Sequence, residues 1–185
     1  YFVTGATGAL GSALVPVLLE NPDTEVHLLV RARDPADLQR RLDALFAFWD
    51  RPELEKERRR RVHVLAGDAT LPRFGLQTFE FETLLHTVTD IVHAAGAVRM
   101  NLPVEAARRS ALGSAEQVLS LTRDLHDRGR LGKLEFVSTV GVGGRTTIVP
   151  ERWIEEPRAF HNTYEQSKAE AEVLVRQHVE RGLPV

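Results

Sequence analysis

Tyr164 and Lys168 stand four residues apart in Asn162-Thr163-Tyr164-Glu165-Gln166-Ser167-Lys168-Ala169-Glu170, a segment that reads as the start of a helix. Residues at i and i+4 share a helix face, so the phenol and the ammonium can point into one pocket. A cation there favours phenolate and lowers the tyrosine from its ordinary value of about 10, which makes a proton donor. The plainer reading is a tyrosine at a helix N-terminus with an unrelated lysine one turn on. With two tyrosines and three lysines in 185 residues, that coincidence arises for a given tyrosine only about 2% of the time.

A second set of residues suits a phosphate. Thr4-Gly5-Ala6-Thr7-Gly8-Ala9-Leu10-Gly11 follows an apolar start and precedes a helical pattern. Glycines at i, i+3 and i+6 differ from the G-x-G-x-x-G spacing but meet the same needs. Gly5 permits a tight turn, Gly8 lets the backbone approach a pyrophosphate, and Gly11 lets the helix pack on the strand. The backbone of Thr7, Gly8, Ala9 and Leu10 then borders the phosphates, with the N–H groups and positive dipole of a helix N-terminus behind it. About 20 residues on, where an acid would bind the adenosine ribose hydroxyls and an arginine a 2′-phosphate, the chain has Arg31 and Arg33. These predict NADPH rather than NADH. Gly67-Asp68-Ala69 places Asp68 and Ala69 near the adenine edge. His93-Ala94-Ala95-Gly96 offers Ala94, Ala95 and Gly96, small enough for a cofactor to lie close.

Alternating elements must position these groups. Apolar runs at Tyr1–Thr4, Val26–Val30, Val62–Ala66, Asp90–Ala94 and Leu134–Ser138 read as strands buried on both faces. Helical stretches fall at about 10–20, 35–59, 78–87, 103–128 and 162–181. Such alternation implies an α/β fold, a doubly wound parallel (Rossmann) sheet with right-handed crossovers, ordered 3-2-1-4-5. Pro16 falls inside the first helix, where it removes an intrahelical bond and should kink or loosen it. The fifth strand runs out into Ser138 and Thr139, and active sites of open α/β sheets lie at the carboxyl ends of strands.

Composition excludes several classes. The net charge of −2 and pI near 6.4 give no polyanion signal, so no nucleic-acid partner is expected. The run Lys56-Glu57-Arg58-Arg59-Arg60-Arg61 suits the solvated C-terminal end of a helix. Cysteine is absent, which removes disulfide and thiolate chemistry. The seven histidines show no ligand spacing, so no metal site is expected. No apolar run approaches the roughly 20 residues of a membrane span, and a cytoplasmic location is expected. The chain opens on apolar Tyr1-Phe2-Val3 and closes on Leu183-Pro184-Val185, where another strand is expected to begin. Residues 1–185 therefore read as one NADP-binding Rossmann domain, a fragment of a longer chain cut before a substrate-binding lobe.

TGATGALG, GDAT, HAAG, ST and YEQSK occur in this order across essentially the whole chain. In that order they resemble the extended short-chain dehydrogenase/reductases. Within that superfamily the LVRA string at Leu29–Ala32, the long crossover 35–61 and NTYEQSKAEAE at 162–172 resemble the thioester-reductase group. That group comprises the reductase domains of carboxylic acid reductases and peptide synthetases, and fatty acyl-CoA reductases. The resemblance implies a catalytic set of Thr139, Tyr164 and Lys168, with Thr139 rather than Ser138 at the hydroxyl position. It also implies NADPH as hydride donor, with Tyr164 and Lys168 touching it. The implied substrate is an acyl thioester on CoA or on a carrier-protein phosphopantetheine arm, and the product is an aldehyde or, after a second hydride, an alcohol. One departure is plain: where the family often has N-V-x-G-T, this chain reads Ser110-Ala111-Leu112-Gly113-Ser114, so the asparagine's role is not carried over. Two rival readings share the fold. One is an epimerase, dehydratase or dehydrogenase acting on a sugar nucleotide or other alcohol. The other is a non-catalytic NADP-binding regulatory module, which would usually lack the tyrosine or the lysine. Oligomeric state is left open.

Overall fold

In a computed structural model that describes residues 1–49 and 60–185, five parallel strands form one sheet. They are β1 (Phe2–Thr4), β2 (Val26–Val30), β3 (Val62–Ala66), β4 (Asp90–His93) and β5 (Lys133–Phe136). Their order, β3-β2-β1-β4-β5, is the doubly wound order expected from the sequence. Around them lie α1 (Ala9–Leu18), α2 (Pro35–Trp49), α3 (Thr78–Thr87), α4 (Val104–Arg108), α5 (Ser114–Asp127) and α6 (Thr163–Val179). The predicted continuation of α2 through residue 59, and with it Lys56–Arg59 of the basic run, lies outside the described residues. Among the described residues no helix is long and apolar enough to cross a membrane.

Strand periodicity divides the core in two. Successive side chains point to opposite faces, so Phe2, Leu29 and Ile91 join the helices α3, α5 and α6 on one side. Val3, Val26, Leu28, Val30 and Val92 join α1 and α2 on the other. Each fully buried Leu, Ile, Val or Phe contributes about 1.5–3 kcal/mol relative to exposure. The central strands thus hold the loops at their carboxyl ends on a rigid base.

Two local expectations change. β5 ends at Phe136 rather than at Ser138. Beyond Phe136 a single further bond, Val137 N–H to the His93 carbonyl at 3.0 Å, continues the ladder before the chain turns into the 3₁₀ segment Val140–Gly143. Ser138 and Thr139 therefore sit just past the strand. The single helix predicted over 103–128 is α4, a π-helical turn at Arg109–Gly113, and α5. The Ser114 hydroxyl donates to the Ser110 carbonyl at 2.6 Å, giving the widened turn a donor that the backbone alone lacks. α1 runs on through Pro16. Its missing N–H would have paired with the Ser12 carbonyl, and that carbonyl instead accepts the Trp49 indole N–H at 2.7 Å. Arg61, the last residue of the basic run, donates to the Leu19, Asn21 and Thr24 carbonyls at 2.8–2.9 Å and so caps the end of α1.

Candidate nucleotide-binding and active site

The β1–α1 turn has the geometry its glycines were expected to serve. Gly5 has φ +76°, and a Cβ there would meet the Ala94 carbonyl carbon at 2.5 Å. A Cβ on Gly11 would run into the Gly5 carbonyl oxygen and reach Ala6 Cα at 2.8 Å. Gly8 is the N-cap of α1 and supplies no side-chain cap, so the first N–H groups of the helix stay free for an anion. Thr7, Ala9 and Leu10 are exposed around this helix start.

A cleft of about 250 Å³ opens at the carboxyl end of the sheet. Gly5, Thr7, Gly8, Arg31, Asp68, Ala69, Ala94, Ala95 and Gly96 line it, all of them residues expected from the sequence. Asp68 accepts the Thr70 amide and hydroxyl at 2.9 and 2.8 Å and faces Arg31 at 3.7 Å. Burial alone would raise the Asp68 carboxyl. The Thr70 hydrogen bonds and the Arg31 charge outweigh it and hold the group below its ordinary value.

Arg33 is not among the residues lining the cleft. It turns toward α2, where its Nε donates to Asp37 at 3.4 Å. Arg41, which the sequence reading missed, lines the cleft with Arg31. The signal was present: Arg33, Asp37, Arg40 and Arg41 are spaced at helical i, i+3 and i+4 intervals.

The loop after β4 is held from beneath by a buried polar chain. The Ala95 amide donates to Thr4 Oγ1 at 3.3 Å, and Thr4 Oγ1 lies 2.8 Å from His93 Nδ1. His93 Nε2 lies 3.3 Å from Ser114 Oγ, and the Ala97 amide donates to Ser110 Oγ at 2.9 Å. With the Thr4 and Ser114 hydroxyls donating onward, a neutral His93 protonated on Nε2 satisfies every member. Ser110 and Ser114 are the residues of the motif that departs from the family pattern, and the π turn aims both at this loop. Burial first, then the Lys168 charge, pushes His93 down to about 3. Between pH 6.5 and about 3 the unfolded chain therefore binds a proton on His93 that the folded chain does not. The stability this represents is complete above pH 6.5 and is lost as pH falls, at no more than about 1.4 kcal/mol per pH unit. Urea unfolding of the intact protein between pH 7.5 and 5 should show this slope, and His93→Gln should flatten it. Equal slopes in both proteins would refute the assignment.

The residues expected to carry the reaction lie beyond β5 and at the start of α6. Asn162 caps α6: its side chain accepts the Glu165 amide at 2.9 Å, and the Glu165 carboxylate accepts the His161 amide at 2.9 Å. This fixes Tyr164 in the first turn, where its phenol makes no hydrogen bond to the described residues. Lys168, one turn on, is 7% exposed. Its Nζ donates to the Val137 carbonyl at 2.7 Å and lies 4.9 Å from the Phe136 ring centroid. Burial lowers the ammonium from its ordinary value, with Glu172 opposing. Thr139 Oγ1 accepts the Gly141 amide at 3.2 Å, which leaves its own proton free to donate. Ser138 Oγ is shut off from solvent and has no partner among the described residues. An Arg108–Glu170 pair, two-pronged at 2.8 and 2.7 Å, ties α4 to α6 and steadies the helix that carries Tyr164 and Lys168.

A dinucleotide fits what is present: an uncapped helix N-terminus, glycines whose Cβ positions are filled by backbone, and two arginines at the far side of the cleft. The family model described as "Male sterility protein" matches residues 3–185. The isonitrile lipopeptide synthase of Streptomyces coeruleorubidus is 33% identical over 186 residues, covering 99% of this chain and 12% of that protein. The carboxylic acid reductase of Mycobacterium tuberculosis is 35% identical over 205 residues, covering 99% of this chain and 17% of that protein. Among solved structures, the terminal R domain from the myxalamid PKS-NRPS biosynthetic pathway superposes with a TM-score of 0.81 at 31% identity. It covers 100% of this chain and 46% of that one, so the chain spans less than half of the domain it matches.

Proposed function

The chain belongs to the Male sterility protein family, within the thioester-reductase group of extended short-chain dehydrogenase/reductases, and from that membership we propose that residues 1–185 are the NADPH-binding domain of a reductase that converts an acyl thioester to an aldehyde. The observation that carries this reading is the seating of Lys168 on the Val137 carbonyl, one turn from Tyr164 and two residues before Thr139. Lys168 and Tyr164 come from one helix, Thr139 from the end of the sheet, and this hydrogen bond ties helix to sheet.

When bound, NADPH supplies the hydride that adds to the thioester carbonyl carbon. The protein's own groups handle the oxygen. Tyr164 gives it a proton, and Thr139 hydrogen-bonds it as charge develops. Lys168 favours proton release from the phenol and holds the nicotinamide ribose. The resulting hemithioacetal then loses its C–S bond, leaving a thiol and an aldehyde. Gly5, Gly8 and the start of α1 hold the pyrophosphate, while Arg31 and Arg41 hold the adenosine 2′-phosphate. Arg33, turned to Asp37, has a secondary place. The thioester is carried on CoA or on a carrier-protein phosphopantetheine arm, and relatives named as a lipopeptide synthase and a PKS-NRPS R domain favour the carrier.

The test is NADPH oxidation by the intact protein with two substrate panels. Acyl-CoA and acyl-pantetheine thioesters should be consumed with release of one thiol per first hydride. Turnover of UDP-sugars with no thioester activity would replace this reading with the sugar-nucleotide one.

A further inference from the structure

Asp37 is an unusual residue to bury. Its side chain is 1% exposed, yet it is an aspartate in the first turn of α2, one turn before Arg41, which lines the nucleotide cleft. Its own amide is capped by Asp34 Oδ1 at 2.8 Å, and its carboxylate reaches back to the Arg33 amide at 3.1 Å. That amide bond closes the turn between β2 and α2, the turn that carries Arg31. The carboxylate also meets three guanidinium groups: Arg33 through Nε at 3.4 Å, Arg41 through Nε at 3.3 Å, and Arg40 through Nη2. The Arg33 amide first, then the Arg41 and Arg40 charges, overcome burial and hold the carboxyl below its ordinary value.

The choice of nitrogen matters. A guanidinium grips a phosphate with a planar fork of donors. Arg41 spends its Nε on Asp37, and its two terminal nitrogens are left for a ligand. Arg41 lines the cleft beside Arg31. An unheld arginine would lose rotamer entropy on gripping a phosphate. Asp37 settles part of that loss in advance.

We propose that Asp37 is a positioning residue for NADPH selectivity: it fixes the β2–α2 turn and holds Arg41 by its Nε so that the terminal fork of Arg41 faces the 2′-phosphate. This rests on the reading above, in which Arg31 and Arg41 bind that phosphate. Asp37 touches no cofactor and acts through Arg41 and the turn.

The experiment measures NADPH and NADH dissociation constants by calorimetry on the intact protein, together with thermal midpoints. Arg31→Ala should weaken NADPH about 10- to 100-fold and leave NADH nearly unchanged. Asp37→Ala should weaken NADPH by about 10-fold while NADH binding, which also reports a folded site, stays within about twofold. Asp37→Asn keeps an acceptor for the Arg33 amide and should give an intermediate loss at a nearly unchanged midpoint. In an Arg41→Ala background, Asp37→Ala should cost less than in the wild type, about threefold, since only its route through the turn is left. A role in stability alone would lower the midpoint and weaken both cofactors alike, and that result overturns the proposal. So does a preference for NADPH over NADH, the NADH dissociation constant divided by that of NADPH, that stays level or rises in both Asp37 variants while Arg31→Ala lowers it. If Arg31→Ala leaves the ratio unchanged, the 2′-phosphate assignment itself falls, and the role of Asp37 falls with it.

Discussion

Tyr164→Phe should reduce turnover of the intact protein by about 10²-fold or more, the scale of general acid catalysis, with cofactor binding and fold unchanged. The phenol makes no hydrogen bond to the described residues, so its removal orphans no protein group. The ring stays, and so does its packing. The loss should therefore appear in kcat, with the NADPH dissociation constant within about twofold of wild type. The neighbouring hydroxyls order the effects. Thr139 Oγ1 has a free proton to donate, whereas Ser138 Oγ is closed off from solvent. Thr139→Val should accordingly lower kcat more than Ser138→Ala does. Near-normal turnover in Tyr164→Phe sinks the mechanism. A larger loss in Ser138→Ala than in Thr139→Val would move the oxyanion contact to Ser138.

Lys168 should show a compound defect, because the structure gives its ammonium a structural contact as well as a place one turn from Tyr164. Lys168→Ala removes the donor to the Val137 carbonyl and the cation over Phe136. Leaving this part-buried carbonyl unpaired costs at most about 1–3 kcal/mol, which urea unfolding would register. Lys168→Met keeps most of the apolar stem and so separates packing from charge. Turnover in Lys168→Met should fall by about 10²-fold. NADPH and NADH should both bind more weakly, since the proposed contact is to the nicotinamide ribose common to the two. That pattern is the opposite of the selective loss expected at Arg31. Turnover within a few-fold of wild type, or binding that changes for NADPH alone, would remove Lys168 from the catalytic set.

These two predictions come from a pairing the sequence already displayed, and the reason is local geometry. Residues 164 and 168 share a face in any α-helix. The same holds for the strands: five short runs rich in valine, leucine and isoleucine alternate with helical patterns, which implies a parallel sheet with right-handed crossovers, and the expected order 3-2-1-4-5 is the one observed. Gly5 and Gly11 were legible because an approach of backbone to backbone that close leaves no room for a Cβ, and the structure shows what each Cβ would strike.

Other features depend on which distant residues the packed sheet brings together. Arg31 and Arg33 stand two residues apart in the sequence, which puts Arg31 first and Arg33 second for the 2′-phosphate; in the structure one lines the cleft and the other turns to Asp37. Arg41 joins Arg31 only because α2 folds back along β2. The loop at Ala94–Ala97 is held by Thr4 from β1 and Ser110 from the π turn, positions 91 and 13 residues from their partners. The carbonyl freed by Pro16 finds its donor 37 residues from Ser12, in Trp49. Periodicity and turn chemistry act over a few residues and follow from backbone dihedrals alone. Hydrogen bonds and ion pairs between remote segments are decided by sheet order and helix packing, so Tyr164 and Lys168, and the i, i+4 spacing of Asp37 and Arg41, are local features of the sequence, whereas the place of Arg41 beside Arg31 in the cleft and the setting of His93 required the folded chain.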